Sequence, residues 1–397
     1  MSMWKWIELS YRYAVLGAGR QGIAAAYDLA KFGDAKEIIL VDVDGKATFA
    51  SADRVNKLFN QQVAIPKQVD VKDAEQLISI LEGIKTVISA VPFGLNLGIT
   101  EVAVRVGSNM CDLGGATHVA KKQLEYDEKA KAAGITIVPD CGMGPGMNIS
   151  LALYAMSLLD EAREVYIWDG GLPLQPKPPW NYALTFNMCG LTNEYFGKAF
   201  FLRDGRIIEV PCFEDYEELD FPPPLNKLEA FVTSGGLSTM PWTFLGKLQR
   251  LENKTLRYPG HWAQFKAFSL LGLLETEPIK IGDVDVSPRD VLSALLEPKL
   301  TQSDVKDVGI IRIKCVGRKD GRPAEAIVEL IDHYDEDTGF TAMQRLTGWH
   351  ASIVAILSAQ NRIRKGVVPV ETIPGEIIVK EALRRGFSIE ERTNISE

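Results

Sequence analysis

Within the segment KTLRYPGH, residues 254–261, stand four side chains that could do chemistry: Lys254, Arg257, Tyr258 and His261. An imidazole titrates near pH ~6.5, so His261 could accept or return a proton near neutrality. A guanidinium is a planar fork, so Arg257 could hold a carboxylate through two hydrogen bonds. Tyr258 and Lys254 could orient a substrate or shuttle protons, and Glu194, in GLTNEY, could bind an ammonium. Such a set suits acid–base chemistry on a small charged substrate. Each residue also has a plainer reading. A histidine after Pro-Gly equally starts a surface helix, Arg257 equally forms a salt bridge, and Glu194 equally caps a helix. In a strand, alternate side chains face opposite ways, so Arg257 and Tyr258 share the site only if the strand ends there.

The N-terminal third supplies a place for a nucleotide cofactor. The stretch YAVLGAGRQGIAAAYDLAKFG from Tyr13 runs from a short apolar strand through Gly17-Ala18-Gly19-Arg20-Gln21-Gly22 into a helical pattern. GxGxxG is a weak signal alone, and its position between a strand and a helix strengthens it. Gly17 permits the tight turn, Gly19 lets a pyrophosphate approach the backbone, and Gly22 lets the helix pack on the strand. The helix start offers free N–H groups and partial positive charge to the phosphates. A second strand, EIILVDVD, ends at Asp42, where a carboxylate can accept hydrogen bonds from the adenosine ribose. Asp42, with Asp44 beside it, would repel a 2′-phosphate, so the sequence favours NAD over NADP.

The elements that must position these groups follow in order. KQVDV, KTVISAVP, NMCDLGG and ITIVPD read as further strands. DAEQLISILEG, residues from about Leu95 to Val106 and VAKKQLEYDEKAKAAG read as helices. This alternation predicts an α/β fold, a Rossmann doubly wound parallel sheet whose ligands lie at the carboxyl ends of its strands. Val91, Pro92, Asn96, Asp112, Gly114, Asp140 and Gly142 fall at those ends. GMGPGMN, residues 142–148, is either part of the site or a plain connection. Beyond it EVYIWDGGLP, NYALTFN, the hairpin AFFLRDGRIIEVPCF turning at Asp204-Gly205, KLEAFVTSGGL, VGIIRIKCVG and EAIVELIDHYD predict a mainly antiparallel α+β domain. SPRDVLSALLEPKL predicts a helix capped by Ser287. From Gly339 the chain turns helical again. The expected division is residues 1–146 plus 340–397 for the dinucleotide domain and 147–339 for an inserted substrate and dimerisation domain, with the site in the cleft between them.

Composition sets the outer bounds. The chain has 397 residues, 46% hydrophobic and 24% charged, with a net charge of −8. That acidity speaks against a nucleic-acid partner. No apolar run reaches the roughly 18 residues of a membrane span, and the opening MSMWKWIELS does not read as a signal peptide. The cysteines at 111, 141, 189, 212 and 315 show no CxxC spacing and read as reduced thiols of a cytoplasmic protein. The four histidines are too scattered for a metal site.

Several ordered segments together carry a resemblance: VLGAGRQG, ISAVPFGLN, CDLGG, PDCGMGPGMN, LTFNMCGLTNEY, TSGGLSTMPWTFLG, KTLRYPGH and TGWHASIVA. With these the chain resembles the saccharopine dehydrogenase family, and within it the lysine 6-dehydrogenase branch. The resemblance implies NAD-dependent oxidation of the terminal amine of L-lysine to a semialdehyde that closes to a cyclic imine, with release of ammonia. It also implies a homodimer. Relatives that reduce imines, joining an amine to an oxo acid, define the first alternative, and a non-catalytic nicotinamide-binding sensor the second. Asp169, in YIWDGGLP, departs from the pattern, which leads one to expect an aliphatic or small residue there, and so do Trp349 and His350, in TGWHAS, where a smaller apolar pair is expected.

Overall fold

In the computed structural model, residues 10–396 are described, so most of the opening segment MSMWKWIELS lies outside them. Seven parallel strands form the first sheet. In chain order they are Tyr11–Leu16, Ala35–Asp42, Ala64–Gln68, Thr86–Ser89, Asn109–Asp112, Thr136–Val138 and Gly366–Val367. Their spatial order places the first strand between the second and the fourth, with the third at one edge and the seventh at the other. Strand order therefore reverses beside the first strand, and a crevice opens there between the loops after the first and fourth strands. The third strand ends at Gln68, so Val69–Val71 of the expected KQVDV strand belong to the following loop. The expected single helix over 119–134 is two, Thr117–Leu124 and Asp127–Ala132.

The first helix, Arg20–Phe32, shows why its start is glycine-rich. A Cβ on Gly22 would lie 1.8 Å from the Gly17 carbonyl oxygen, so only glycine lets helix and strand meet this closely. Gly17 itself has φ of +100°, and a Cβ there would strike the Ala90 carbonyl oxygen at 2.5 Å. Asp44 caps the next helix, Gly45–Phe59, by accepting from the N–H groups of Lys46 and Ala47.

The second sheet has nine strands. Glu161–Pro173 lies near its middle, parallel to Arg250–Arg257 and antiparallel to Asp307–Lys319. The hairpin Lys198–Arg203 to Arg206–Pro211 turns at Asp204-Gly205 as expected, both at positive φ. Ser287 caps the helix Pro288–Leu300 through the Asp290 N–H. NYALTFN forms no strand: Tyr182 and Leu184 are buried, but the segment has no ladder partner and follows an irregular path. The short strands Glu217–Asp220, Ile279–Ile281 and Val284–Val286 have no counterpart in the sequence reading.

The returning segment is buried throughout from His350 to Ala359 and packs on the strands Thr86–Ser89 and Asn109–Asp112. An all-round apolar helix requires such a place. Arg385 ties the last helix, Gly375–Arg384, to the first: its Nε donates to both carboxylate oxygens of Asp28 at 2.9 Å, and both side chains are fully buried. The strand Ile389–Ile395 then leaves this half and pairs with Arg322–His333 in the second sheet. The chain thus crosses between the two sheets once more than the sequence pattern suggests.

Candidate active site

One cleft of about 850 Å³ runs from the glycine loop to the end of the strand Arg250–Arg257. Its first wall includes Gly17, Gly19, Arg20, Gln21, Asp42, Val91, Pro92, Gly114 and Gly142. Of the other expected cofactor residues, Ala18 and Gly22 shape the loop from behind. The Ala18 N–H donates to Asp42 Oδ2 at 2.8 Å. Asn96 and Asp112 are interior. Asn96 accepts from Ser89 Oγ at 2.7 Å, and Asp112 accepts from the Gly114 and Asp140 N–H groups and from Gln123. These two organise the strand ends and do not reach the cleft. Asp140 is likewise buried and accepts from Ser238; burial, and next the neighbouring Asp112, push its pKa up to about 7.

The glycine loop suits a dinucleotide. A Cβ built on Gly19 would meet nothing within 4 Å, so this side of the loop is open to a ligand. No side chain caps the N-terminus of the first helix, which leaves its N–H groups free for phosphate. The Gln21 side-chain amide is buried at the same wall with neither polar atom partnered. Asp42 stands at the end of its strand on the same cleft.

Strand alternation divides the KTLRYPGH segment. Asn253, Thr255 and Arg257 line the cleft. Lys254 and Tyr258 face away: Lys254 Nζ donates to Glu217 at 2.8 Å, and the Tyr258 hydroxyl donates to the Pro173 carbonyl at 3.0 Å. Neither can touch a ligand in the cleft. Arg257 is 2% exposed. Its Nε donates to the Tyr195 hydroxyl at 2.8 Å, its Nη1 to the Leu256 carbonyl at 2.9 Å and its Nη2 to Glu194 at 2.9 Å. A guanidinium has five N–H groups, so one remains on each Nη. Glu194 Oε1 also accepts from Thr255 Oγ1 at 3.1 Å.

His261 starts the helix His261–Leu270 behind Arg257 and is not on the cleft wall. Its Nε2 lies 2.8 Å from the Tyr195 hydroxyl, and its ring stacks on Phe265. Arg257 donates to the same hydroxyl, so that hydroxyl in turn donates to Nε2. Burial, and next the Arg257 charge, hold the His261 pKa well below the usual 6.5, so the imidazole is neutral. The proton-accepting role expected of His261 does not fit this place; the ring supports Tyr195 and, through it, Arg257.

Asp169 is a candidate proton acceptor that the cleft offers in place of His261. It lines the cleft and is 7% exposed. Its Oδ2 accepts from Asn148 Nδ2 at 2.7 Å and Asn253 Nδ2 at 3.0 Å. Burial pushes its pKa up to about 7 against those two hydrogen bonds. A carboxylate with this pKa can take a proton at neutral pH and release it again. The sequence signal was the departure at Asp169 itself; its partners lie 21 and 84 residues away. Among the described residues no cluster could hold a metal ion, and no helix is long and apolar enough to cross a membrane.

A parallel dinucleotide fold with a second, mixed sheet closing over its carboxyl-end crevice, and acidic and basic groups meeting in the cleft between, defines a two-domain nucleotide-binding protein with a small-molecule site. The chain belongs to the saccharopine dehydrogenase family: its C-terminal domain profile matches residues 142–385 and its NADP binding domain profile residues 13–138. Mitochondrial alpha-aminoadipic semialdehyde synthase of Rattus norvegicus is 24% identical over 239 residues, 55% of this chain and 25% of that protein. The chain spans about a quarter of the length of the first curated relatives it matches. Carboxynorspermidine synthase of Vibrio cholerae is 25% identical over 301 residues, 69% of this chain and 68% of that protein. The structure of apo saccharopine dehydrogenase (L-Glu forming) from Saccharomyces cerevisiae superposes with a TM-score of 0.75 at 18% identity, covering 97% of this chain and all of that one. This last likeness is one of fold.

Proposed function

We propose that the protein is an NAD-dependent oxidoreductase that converts the terminal amine of L-lysine to the semialdehyde, which closes to the cyclic imine, and releases ammonia. The observation that carries this reading is the charge of the substrate end. The second domain lends the cleft four charged side chains: the carboxylates Asp169, Glu194 and Glu297 and the single guanidinium of Arg257. That balance suits a substrate with two amines and one carboxylate. Saccharopine, with three carboxylates, would need further cations. The family name favours the alternative, a saccharopine-type dehydrogenase that joins an amine to an oxo acid by imine reduction.

The residues divide the work by position. Arg257 holds the substrate carboxylate through its two remaining N–H groups. Glu194, already paired to Arg257 through Oε1, faces the α-ammonium. Asp169 stands opposite Thr255 in the strand ladder, and Arg257 is two residues further on, about 7 Å along the strand. The butyl chain of lysine spans a gap of this order. Asp169 then takes a proton from the terminal ammonium, which frees the nitrogen lone pair to assist hydride loss. NAD, held by the glycine loop and Asp42, would supply the hydride acceptor. Water adds to the resulting iminium carbon, and the C–N bond breaks to give aldehyde and ammonia.

Amino acids and diamines assayed with NAD, with NADH and ammonia measured together, test the reading. L-Lysine is expected to give both products in equal amounts without any oxo acid. Strict dependence on 2-oxoglutarate in the reverse direction would assign the protein to the imine-reducing alternative. The preference for NAD rests on Asp42, whose carboxylate lies where a 2′-phosphate would be repelled. Asp42→Ala is expected to weaken NAD binding and to narrow the gap to NADP, read as the ratio of dissociation constants. Tighter binding of NADP by the unmodified protein would overturn this assignment.

A further inference from the structure

The segment 182–194, irregular as far as Asn187 and then the short helix Met188–Glu194, forms one side of the cleft, where Tyr182, Phe186 and Glu194 meet the ligand space. Among the described residues it makes two hydrogen bonds to the nucleotide-binding half. Arg20 Nη1 donates to the Leu184 carbonyl at 2.6 Å, and Asn193 Nδ2 donates to the Gly115 carbonyl at 2.7 Å. The two anchors stand on opposite sides of the crevice, after the first and the fifth strands. Leu184 is held on its other side by one backbone bond, from its N–H to the Leu300 carbonyl at 3.0 Å. The segment is therefore pinned at both ends to the loops that surround the dinucleotide site.

Arg20 belongs to the glycine loop itself. Its own carbonyl accepts from Gln344 Nε2 at 2.7 Å, which fixes the backbone of the loop at this point. Its side chain is exposed at the cleft and uses one N–H on Leu184. Four N–H groups remain for an anion. A phosphate on the loop can engage them without releasing Leu184, and it would confine the guanidinium to the position from which it holds that carbonyl.

We propose that Arg20 is a positioning residue that couples the two halves of the site: an occupied dinucleotide loop fixes Arg20, Arg20 together with Asn193 fixes the segment 182–194, and the amine substrate then meets a preformed wall carrying Tyr182 and Glu194. Dinucleotide and amine bind with positive coupling, and the free energy of that coupling passes through two side-chain hydrogen bonds. The inference rests on the dinucleotide reading of the glycine loop, and its second test rests also on lysine as substrate.

The first test needs no amine. Amide hydrogen exchange across 182–194 is followed with and without saturating NADH, and with NADPH in parallel. The expected result is exchange slowed by about tenfold on dinucleotide binding. This protection is lost in Arg20→Met and in Asn193→Ala, and partly restored in Arg20→Lys, whose ammonium can still donate to Leu184. A merely structural role for Arg20 would change exchange equally with and without the dinucleotide. Unchanged protection in Arg20→Met, or none in the unmodified protein, overturns the proposal. In the second test, calorimetry measures lysine binding with NADH present, a pair that cannot react. NADH is expected to tighten lysine by about tenfold in the unmodified protein and not in Arg20→Met. If lysine fails to bind while the exchange result holds, the substrate reading falls and the coupling stands.

Discussion

Asp169→Asn is expected to lower kcat for amine oxidation by about 10²–10⁴-fold, the usual share of a general base. The substitution keeps the shape of the side chain, and the Asn148 and Asn253 amides can still donate to its carbonyl oxygen. What disappears is the group that takes the proton. The sign of the pH effect follows from the direction of the shift. Burial raises Asp169 to about 7, so the carboxylate form is lost as pH falls through that value. The unmodified enzyme should lose activity on the acid side with a midpoint near 7, and the variant should show no such limb. A pH profile of kcat/KM, which reports the groups of the free enzyme, decides the matter. Near-native kcat with the acid limb intact would remove Asp169 from the role and leave Glu194 as the remaining carboxylate beside Arg257.

Arg257→Lys is expected to raise KM for lysine by about 10²-fold and to leave kcat much less affected. The charge stays, but the fork that matches a carboxylate is lost, and a hydrogen bond to a charged group contributes about 1.5–3 kcal/mol. For an amine of the same length without the carboxylate the loss should nearly vanish, because the guanidinium then has nothing to hold. His261→Asn sharpens the comparison. The imidazole accepts from Tyr195, and Tyr195 accepts from Arg257, so its loss reaches the carboxylate site through Tyr195 and Arg257. KM for lysine should rise, by less than in Arg257→Lys, and the acid limb of the pH profile should persist. A large fall in kcat with loss of that limb would return the base to His261. Equal losses for both amines in Arg257→Lys would show that the guanidinium supports the fold of the cleft and does not bind the carboxylate.

The nucleotide-binding half was legible because its signals are local. Strand, glycine turn, helix and acidic strand end follow one another within the stretch from Tyr13 to Asp44, and the steric reason for Gly22, the Gly17 carbonyl, lies within the same stretch. The seventh strand, Gly366–Val367, carried no such signal: two residues cannot show a period, and their place is set by the edge of the sheet they join. NYALTFN carried a misleading one. Its alternating apolar residues resemble a half-buried strand, yet they are buried against the helices His261–Leu270 and Pro288–Leu300 without a neighbouring strand to complete a ladder.

In the segment that carries the chemistry, the sequence by itself determined the parity. Alternate side chains of the strand face opposite ways, and although the strand ends at Arg257, Tyr258 beyond it still faces away from the cleft. The sequence could not determine which parity faces the ligand, since a two-residue period labels both sides of a strand alike. Packing decided that. Tyr258 and Leu256 join the apolar cluster around Leu172 and Phe221, which leaves Asn253, Thr255 and Arg257 to the cleft. The surroundings of the two candidate bases were decided in the same way. Asp169 and His261 are each unremarkable in isolation, and only the tertiary structure puts the carboxylate beside two amides on the cleft wall and the imidazole against Tyr195 and Phe265 behind it. A pKa depends on what surrounds a group in space, and those surroundings come from Asn148, Asn253 and Arg257, brought together by the fold.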